Sequence, residues 1–130
     1  YMAVLQCRKT VHTDEGKQRQ AALLAFSAFP ELKHVILVDE DVDIFDSQDV
    51  LWAMNTRFQG DRDIVTIPGV RCHPLDPSSN PAYSPSISDI GVSCKTIFDC
   101  TVPFHLKDRF QRAEFLEVDP KHWLPDFDFS

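Results

Sequence analysis

Glycine is scarce in this sequence and is nowhere concentrated. The 130 residues contain four glycines, at positions 16, 60, 69 and 91. The chain therefore has no glycine-rich loop of the kind that wraps phosphate groups. It also has no G-x-S-x-G motif, the serine nucleophile elbow of α/β-hydrolases. The local signatures of two large enzyme classes are thus missing.

Cysteines are few and separated, at positions 7, 72, 94 and 100. None belongs to the short C-x(2–4)-C pair that is typical of zinc sites, and the adjacent residues Cys72 and His73 make a poor chelate. No basic stretch leads into an apolar run at the start, so we predict no secretory signal. Reduced thiols in a cytoplasmic protein are the favoured interpretation.

Positive charge is in deficit. Lysine and arginine number 13 against 20 aspartates and glutamates, a net charge of −7. Nucleic-acid-binding domains need a basic surface, so we expect no nucleic-acid partner. Ionisable residues interrupt every apolar run well short of the ~18 residues of a membrane span, so we expect no membrane partner either.

The length suits one domain, since single domains commonly run to ~100–150 residues. The chain begins directly with a strand-like segment, Tyr1 to Cys7, and has no start methionine. We therefore expect residues 1–130 to be one domain cut from a longer protein.

Strand and helix patterns alternate through the first half of the chain. The predicted order is a strand over Met2–Cys7, a helix over Lys17–Phe29, a strand over His34–Val38, a helix over Gln48–Phe58 and a strand over Asp63–Ile67 that Pro68 and Gly69 end. The run at His34–Val38 is continuously apolar, which favours a strand covered on both faces. The pattern predicts an α/β fold, a three-layer sandwich with a mostly parallel sheet.

Proline marks the second half, where eight of the nine prolines lie at or beyond Pro68. The stretch from Cys72 to Ser88 has four prolines and five serines and predicts an ordered Pro/Ser-rich loop, of a kind that is often functional. After it we predict a fourth strand at Lys95–Cys100, a short helix within Phe104–Glu117 and an extended C-terminal tail, Lys121–Ser130.

An acidic cluster, Asp39 to Asp43, follows the predicted central strand. Clustered carboxylates at the carboxyl end of a parallel strand suit a divalent cation or a phosphoacceptor, as in receiver domains. A receiver-like or regulatory domain with a cation site at Asp39 and Asp41 is therefore one hypothesis. The alternative, which composition favours, is that these carboxylates cap loops and helix starts.

His73 is the most informative single residue. It follows the third predicted strand, in the run R-C-H-P-L-D-P-S from Arg71 to Ser78. An imidazole with an ordinary pKa of about 6.5 can donate or accept a proton near neutrality. A ligand-binding histidine and a solvent-exposed loop histidine both remain possible on these grounds.

Several motifs in a fixed order resemble one family. They are L-Q-C-R-K from Leu5, H-V-I-L-V-D-E-D-V-D-I-F-D from His34, D-V-L-W-A-M-N-T-R-F-Q from Asp49, D-R-D-I-V from Asp61, L-D-P-S from Leu75 and F-D-C-T from Phe98. The set resembles the C-terminal domain of UbiD-type decarboxylases and covers nearly the whole chain. Cys100 stands where many members of that family carry alanine.

The resemblance implies an enzyme that reversibly decarboxylates an aromatic acid with prenylated FMN. The cofactor, with its divalent metal and potassium, and the catalytic arginine and glutamates are then expected in an N-terminal domain, so this chain is expected to hold none of them. The implied partners are that N-terminal domain, further copies in a homo-oligomer, a flavin prenyltransferase that supplies the cofactor, and the acid itself. The domain would close over the active site, and alone it would be inactive.

The resemblance also places His73 and Leu75 on the substrate side of the pocket. Members that act on phenylacrylic acids tend to have an aromatic residue at the histidine position, whereas those that act on hydroxybenzoates can have histidine. An imidazole can hydrogen-bond a phenolic hydroxyl. We therefore expect a catechol-, gallate- or protocatechuate-type acid that the enzyme recognises by its hydroxyl groups.

Overall fold

Strands and helices alternate through the part of the chain that the structure, a computed structural model, describes: residues 1–87, 90–113 and 119–123. The elements are β1 (Met2–Cys7), α1 (Lys17–Ala28), β2 (His34–Asp39), α2 (Ser47–Thr56), β3 (Ile64–Arg71), β4 (Val92–Cys100) and the one-turn helix α3 (Pro120–Trp123), with 3₁₀ turns at His12–Asp14, Pro77–Ser79 and Phe104–Arg109. No helix within the described ranges is long and apolar enough to cross a membrane.

The four strands form one mixed sheet in the order β1-β2-β4-β3. β1, β2 and β4 are parallel, while β3 pairs antiparallel with β4. We call the end where β1, β2 and β4 begin the amino end of the sheet, and the end where they finish the carboxyl end. The predicted α/β class and mostly parallel sheet are confirmed.

The direction of the third strand differs from the prediction. The predicted β-α-β-α-β order implied a third strand parallel to the first two. In the structure β4 lies between β2 and β3, and β3 is antiparallel to β4. The chain between β3 and β4 contains no helix longer than the turn at Pro77–Ser79 within its described residues. A return without a crossover helix joins antiparallel neighbours, whereas parallel neighbours need a crossover.

The end of the third strand also differs from the prediction. Pro68 and Gly69 were expected to end it, but β3 continues to Arg71 through an irregular register between Ile67 and Val70. β3 is an edge strand, where a missing N–H costs no ladder bond, and Gly69 adopts a left-handed φ of 70°. Proline and glycine therefore make a bulge here instead of a strand end.

The core lies on both faces of β2. On one face Val35 and Leu37 pack with Ala22 and Phe26 of α1, and on the other Ile36 and Val38 pack with Val50 and Ala53 of α2. Helices thus cover both faces, which explains the continuous apolar run of β2. Burying one such aliphatic side chain is worth about 1.5–3 kcal/mol.

The α2 helix begins at Ser47, one residue before the predicted start at Gln48. The Asp46 carboxylate accepts a hydrogen bond from the Gln48 N–H at 2.9 Å and so caps the helix. The predicted fourth strand is confirmed and begins earlier, at Val92. The segment predicted to hold a short helix begins with the 3₁₀ turn Phe104–Arg109. Residues 114–118 and 124–130, which include most of the predicted tail, lie outside the described residues.

Candidate functional site

A pocket of about 430 Å³ opens at the amino end of the sheet. Its lining residues lie just before β1, between α1 and β2, and in the loop after β3: Tyr1, Glu31, Lys33, His73, Leu75, Asp76 and Pro77. Both side chains that the sequence singles out, His73 and Leu75, line this one pocket. They reach the amino end because β3 is antiparallel and delivers its following loop there.

The His73 ring is held in a defined orientation. It stacks on the Tyr1 ring with centroids 4.8 Å apart. Its Nδ1 atom accepts a hydrogen bond from the Leu75 backbone N–H at 3.1 Å. Since an amide can only donate, the neutral imidazole carries its proton on Nε2. His73 is therefore a hydrogen-bond donor at Nε2 when it is neutral.

Leu75 is 81% exposed, a high value for a large apolar side chain. It follows His73 at the pocket wall, so the pocket offers an apolar surface next to the Nε2–H donor. An aromatic ring that bears a hydroxyl group matches that pair of features, because the ring removes Leu75 from water while the oxygen accepts the hydrogen bond.

The charged side chains of the pocket are partly paired. Lys33 Nζ lies 2.7 Å from Asp76 Oδ2. The Lys33 ammonium, with help from Ser78, lowers the pKa of Asp76 from 3.8 to about 2. Glu31 adds a second carboxylate to the lining. The pocket thus has one cation, already paired, against two acids.

Lys33, Tyr1 and Glu31 were not predicted as site residues. No motif marks them, and they become neighbours only because β1 and β2 pair in parallel from Met2 opposite His34. The one available signal was positional: Tyr1 and Lys33 each directly precede a predicted strand. Residues at the starts of adjacent parallel strands meet at the same end of the sheet.

The acidic cluster lies at the carboxyl end of the sheet, whereas His73 lies at the amino end. The six residues of β2, at ~3.3 Å each, separate the two ends by roughly 20 Å. Arg57, whose side chain is 3% exposed, pairs with both Asp39 and Asp41. Its two terminal nitrogens lie 2.8 and 2.6 Å from the Asp41 oxygens, and this pairing lowers the pKa of Asp41.

Asp39 is almost fully buried, and one of its oxygens, Oδ1, has no hydrogen-bond partner. Burial raises the pKa of this carboxyl, against the effect of the Val102 N–H and Arg57. A cation site at Asp39 and Asp41 would have to displace the guanidinium. Within the described ranges no group of three His, Cys, Asp or Glu side chains is arranged to hold a metal ion. The geometry therefore favours the structural interpretation of the cluster.

Further buried polar groups close the carboxyl end. Lys9 Nζ donates to Glu15 at 2.8 Å and to the Val102 carbonyl at 3.0 Å. Asp99 accepts from Arg19 Nε at 2.6 Å and from the Thr101 hydroxyl at 2.6 Å. These bonds join β1, α1 and β4 to the segment after β4, so this end acts as scaffold.

Comparison with known proteins points to one family. Residues 1–100 match the model of the 3-octaprenyl-4-hydroxybenzoate carboxy-lyase C-terminal domain. The chain is 61% identical to the gallate decarboxylase of Lactiplantibacillus plantarum over 118 residues, which is 90% of this chain and 24% of that protein.

Solved structures give the same result. The apo 3,4-dihydroxybenzoic acid decarboxylase from Enterobacter cloacae is 61% identical with a TM-score of 0.83, over 96% of this chain and 26% of that one. The UbiD-class enzyme HmfF from Pelotomaculum thermopropionicum, in complex with FMN, is 35% identical with a TM-score of 0.72, over 87% of this chain and 23% of that one. The chain spans about a quarter of the length of each relative.

Proposed function

This chain belongs to the UbiD family as a 3-octaprenyl-4-hydroxybenzoate carboxy-lyase C-terminal domain, and we propose that it is the C-terminal domain of a longer enzyme that decarboxylates a hydroxylated aromatic acid. The relatives named gallate decarboxylase and 3,4-dihydroxybenzoic acid decarboxylase share about 60% of its residues. Both names describe benzoic acids with neighbouring hydroxyl groups, which supports the substrate class.

The observation that carries the substrate class is the orientation of His73. The Leu75 amide occupies Nδ1, so Nε2–H is free to donate into the pocket. Donation to a phenolic oxygen favours negative charge on that oxygen, and a hydrogen bond to a charged group is worth about 1.5–3 kcal/mol. A non-hydroxylated acid leaves the donor unpaired, so the site discriminates against it. The Leu75 side chain packs on the aromatic ring of the substrate and excludes water from it.

Prenylated FMN would supply the decarboxylation chemistry, and we place it outside this chain. One relative, HmfF, has been solved with FMN and, in an evolved dimeric form, with prFMN. The amino-end pocket does not suit a flavin phosphate, because its lysine is already paired with Asp76 while Glu31 adds negative charge. By resemblance to the family, we place the cofactor, its divalent metal and its potassium in the remainder of the parent enzyme, with a flavin prenyltransferase as supplier. The isolated chain would be inactive.

The test uses the parent enzyme, co-expressed with a flavin prenyltransferase. We expect it to release CO₂ from gallate or protocatechuate faster than from cinnamate. The His73→Ala variant should lose turnover of hydroxylated acids, and His73→Gln, which keeps an N–H donor, should retain part of it. His105→Ala, at an exposed histidine of the opposite end, is the matched control. Equal losses on all acids in His73→Ala would rule out the hydroxyl-reading role.

Closure over the active site is the second part of the proposal. The pocket is open to solvent, and the exposed Leu75 lies at its wall. Docking against the cofactor-binding part would cover both and exclude water from the substrate. Small-angle scattering of the parent enzyme should show a more compact particle with substrate bound. An unchanged radius of gyration would contradict a closing motion.

Assembly into a homo-oligomer is the third part. Leu23 and Leu24 of helix α1 are exposed to solvent, and so is Phe29, which directly follows the helix; Leu24 is 70% and Phe29 67% exposed. Adjacent exposed leucines such as Leu23 and Leu24 would be covered by a second copy of the chain, and contact between apolar surfaces of this kind favours association. Light scattering of the parent enzyme should give a dimer or a larger assembly, and a strict monomer would contradict this part of the proposal.

A further inference from the structure

Lys33 connects the sheet to the loop that carries His73. Its backbone belongs to the amino end of the sheet: the N–H donates to the Tyr1 carbonyl at 2.9 Å, and the carbonyl accepts from the Thr96 N–H at 3.1 Å. Its side chain leaves the sheet and reaches the loop, where Nζ pairs with Asp76 and donates to Ser78. Lys33 therefore links the part of the pocket that the sheet forms to the part that the loop after β3 forms.

The base of this connection is fixed by a second lysine. Lys95, in β4, is 4% exposed. Its Nζ atom donates to the carbonyls of Pro30, at 2.6 Å, and Leu32. These two carbonyls belong to the turn between α1 and β2, immediately before Lys33. The turn is thus held to the middle of the sheet, so the position of Lys33 is set by the core.

Asp76, the partner of Lys33 in the loop, is hydrogen-bonded directly to His73. The Asp76 N–H donates to the His73 carbonyl at 3.0 Å. Asp76 Oδ1 accepts from the Ser78 N–H and hydroxyl, at 2.9 and 2.8 Å. The Asp76 carboxylate therefore organises the tight turn that begins at His73, and Lys33 holds that carboxylate.

From these contacts we infer that Lys33 is a positioning residue for His73: its ion pair with Asp76 holds the 73–79 turn so that Nε2–H points at the substrate hydroxyl. This inference rests on the proposed function. Lys33 acts by holding the loop and does not itself contact the reacting atoms. Loss of the pair should release the turn, and the remaining stack of His73 on the exposed Tyr1 would not hold the imidazole in place.

The test compares Lys33→Met, Lys33→Arg and Lys17→Met in the parent enzyme. Lys17 forms the same type of pair, with Asp14 at 2.6 Å, at the opposite end of the sheet. Hydrogen–deuterium exchange of the peptides within residues 72–87 reports on the loop itself. We expect faster exchange in Lys33→Met, near-native exchange in Lys33→Arg and no change in Lys17→Met.

Kinetics give the second measurement. In Lys33→Met we expect kcat/KM to fall by about tenfold for hydroxylated benzoates, a loss of about 1.4 kcal/mol, and by less than about twofold for a non-hydroxylated acid. Lys33→Arg should recover most of the loss. Because Lys33→Met could perturb folding, Asp76→Asn removes the same pair from the loop side and should give the same pattern.

Two results would overturn the inference. One is unchanged exchange within residues 72–87 in both Lys33→Met and Asp76→Asn. The other is an equal loss of turnover on every acid, which would make Lys33 a general binding residue. Failure of the proposed function has a different signature: His73→Ala would then show no preference between acids, while exchange of the loop would still respond to Lys33.

Discussion

At the carboxyl end of the sheet, Arg57 and Lys9 have side chains that are 3% exposed and bond to several elements at once. At the amino end, the side chains of Lys33 and Asp76 are 25% and 16% exposed, and Leu75 is 81% exposed. Both ends use a basic side chain to hold a carboxylate. The two ends differ in the solvent exposure of the ion pair and in the number of secondary-structure elements that the pair joins.

That difference separates scaffold from site. Buried pairs cannot be broken without leaving a charge in a poorly solvated place, so the carboxyl end is expected to open only with global unfolding. The loop that carries His73 is held to the amino end by one partly exposed ion pair and by its own tight turn, so this loop can open locally. Regions that bind and close over ligands are drawn from the low-stability parts of a fold.

The largest effect should follow from Arg57→Met. The substitution leaves Asp39 and Asp41 without their cation, and breaking a buried pair on one side costs about 3–5 kcal/mol. Urea unfolding should show that loss. Arg62→Met is the matched control, since Arg62 is 71% exposed and 3.8 Å from Asp61, and it should change stability by less than about 1 kcal/mol. Equal effects would remove the distinction between the two ends.

Thiol labelling should rank the two ends directly. Cys94 is exposed, whereas Cys72 at the amino end and Cys100 at the carboxyl end are buried. Burial raises the pKa of Cys100 to about 12, which suppresses its thiolate. With iodoacetamide and mass spectrometry we expect Cys94 to react first, Cys72 next through local opening, and Cys100 last. Equal rates at Cys72 and Cys100 would mean that both ends open together.

The Lys33→Met variant should have a small effect on global stability. Its ion pair with Asp76 is partly exposed, and such pairs contribute about 0–1 kcal/mol. We expect the urea midpoint to shift far less than in Arg57→Met. A loss as large as that of Arg57→Met would show that the loop belongs to the cooperative core.

The smallest effect concerns pH. The lowered pKa of Asp76 means that its contribution to stability is fully present above the ordinary value of 3.8 and is lost as pH falls through about 2. The loop contact should thus be constant across neutral and mildly acidic pH. A ¹³C titration of the Asp76 carboxyl should have its midpoint near 2 and should move toward 3.8 in Lys33→Met. A midpoint that does not move would show that Lys33 is not the cause.

Patterning along the chain was enough to predict much of the fold. The bounds of β1 and the start of α1 at Lys17 follow from local rules of burial and hydrogen bonding, which act over a few residues. The family was also readable, because its motifs keep their order. The direction of β3 could not be predicted, since a strand has the same local sequence pattern whether it pairs parallel or antiparallel.

The sequence by itself determined which segments are strands and helices, and it pointed to His73 and Leu75 through their resemblance to a family. Tertiary structure alone decided that these residues share a pocket with Lys33, and that Asp39 and Asp41 are held by Arg57 at the other end. The reason is physical: periodicity reflects local burial, whereas strand order and direction bring together residues that are far apart in the sequence, such as Lys33 and Ser78, which are 45 positions apart.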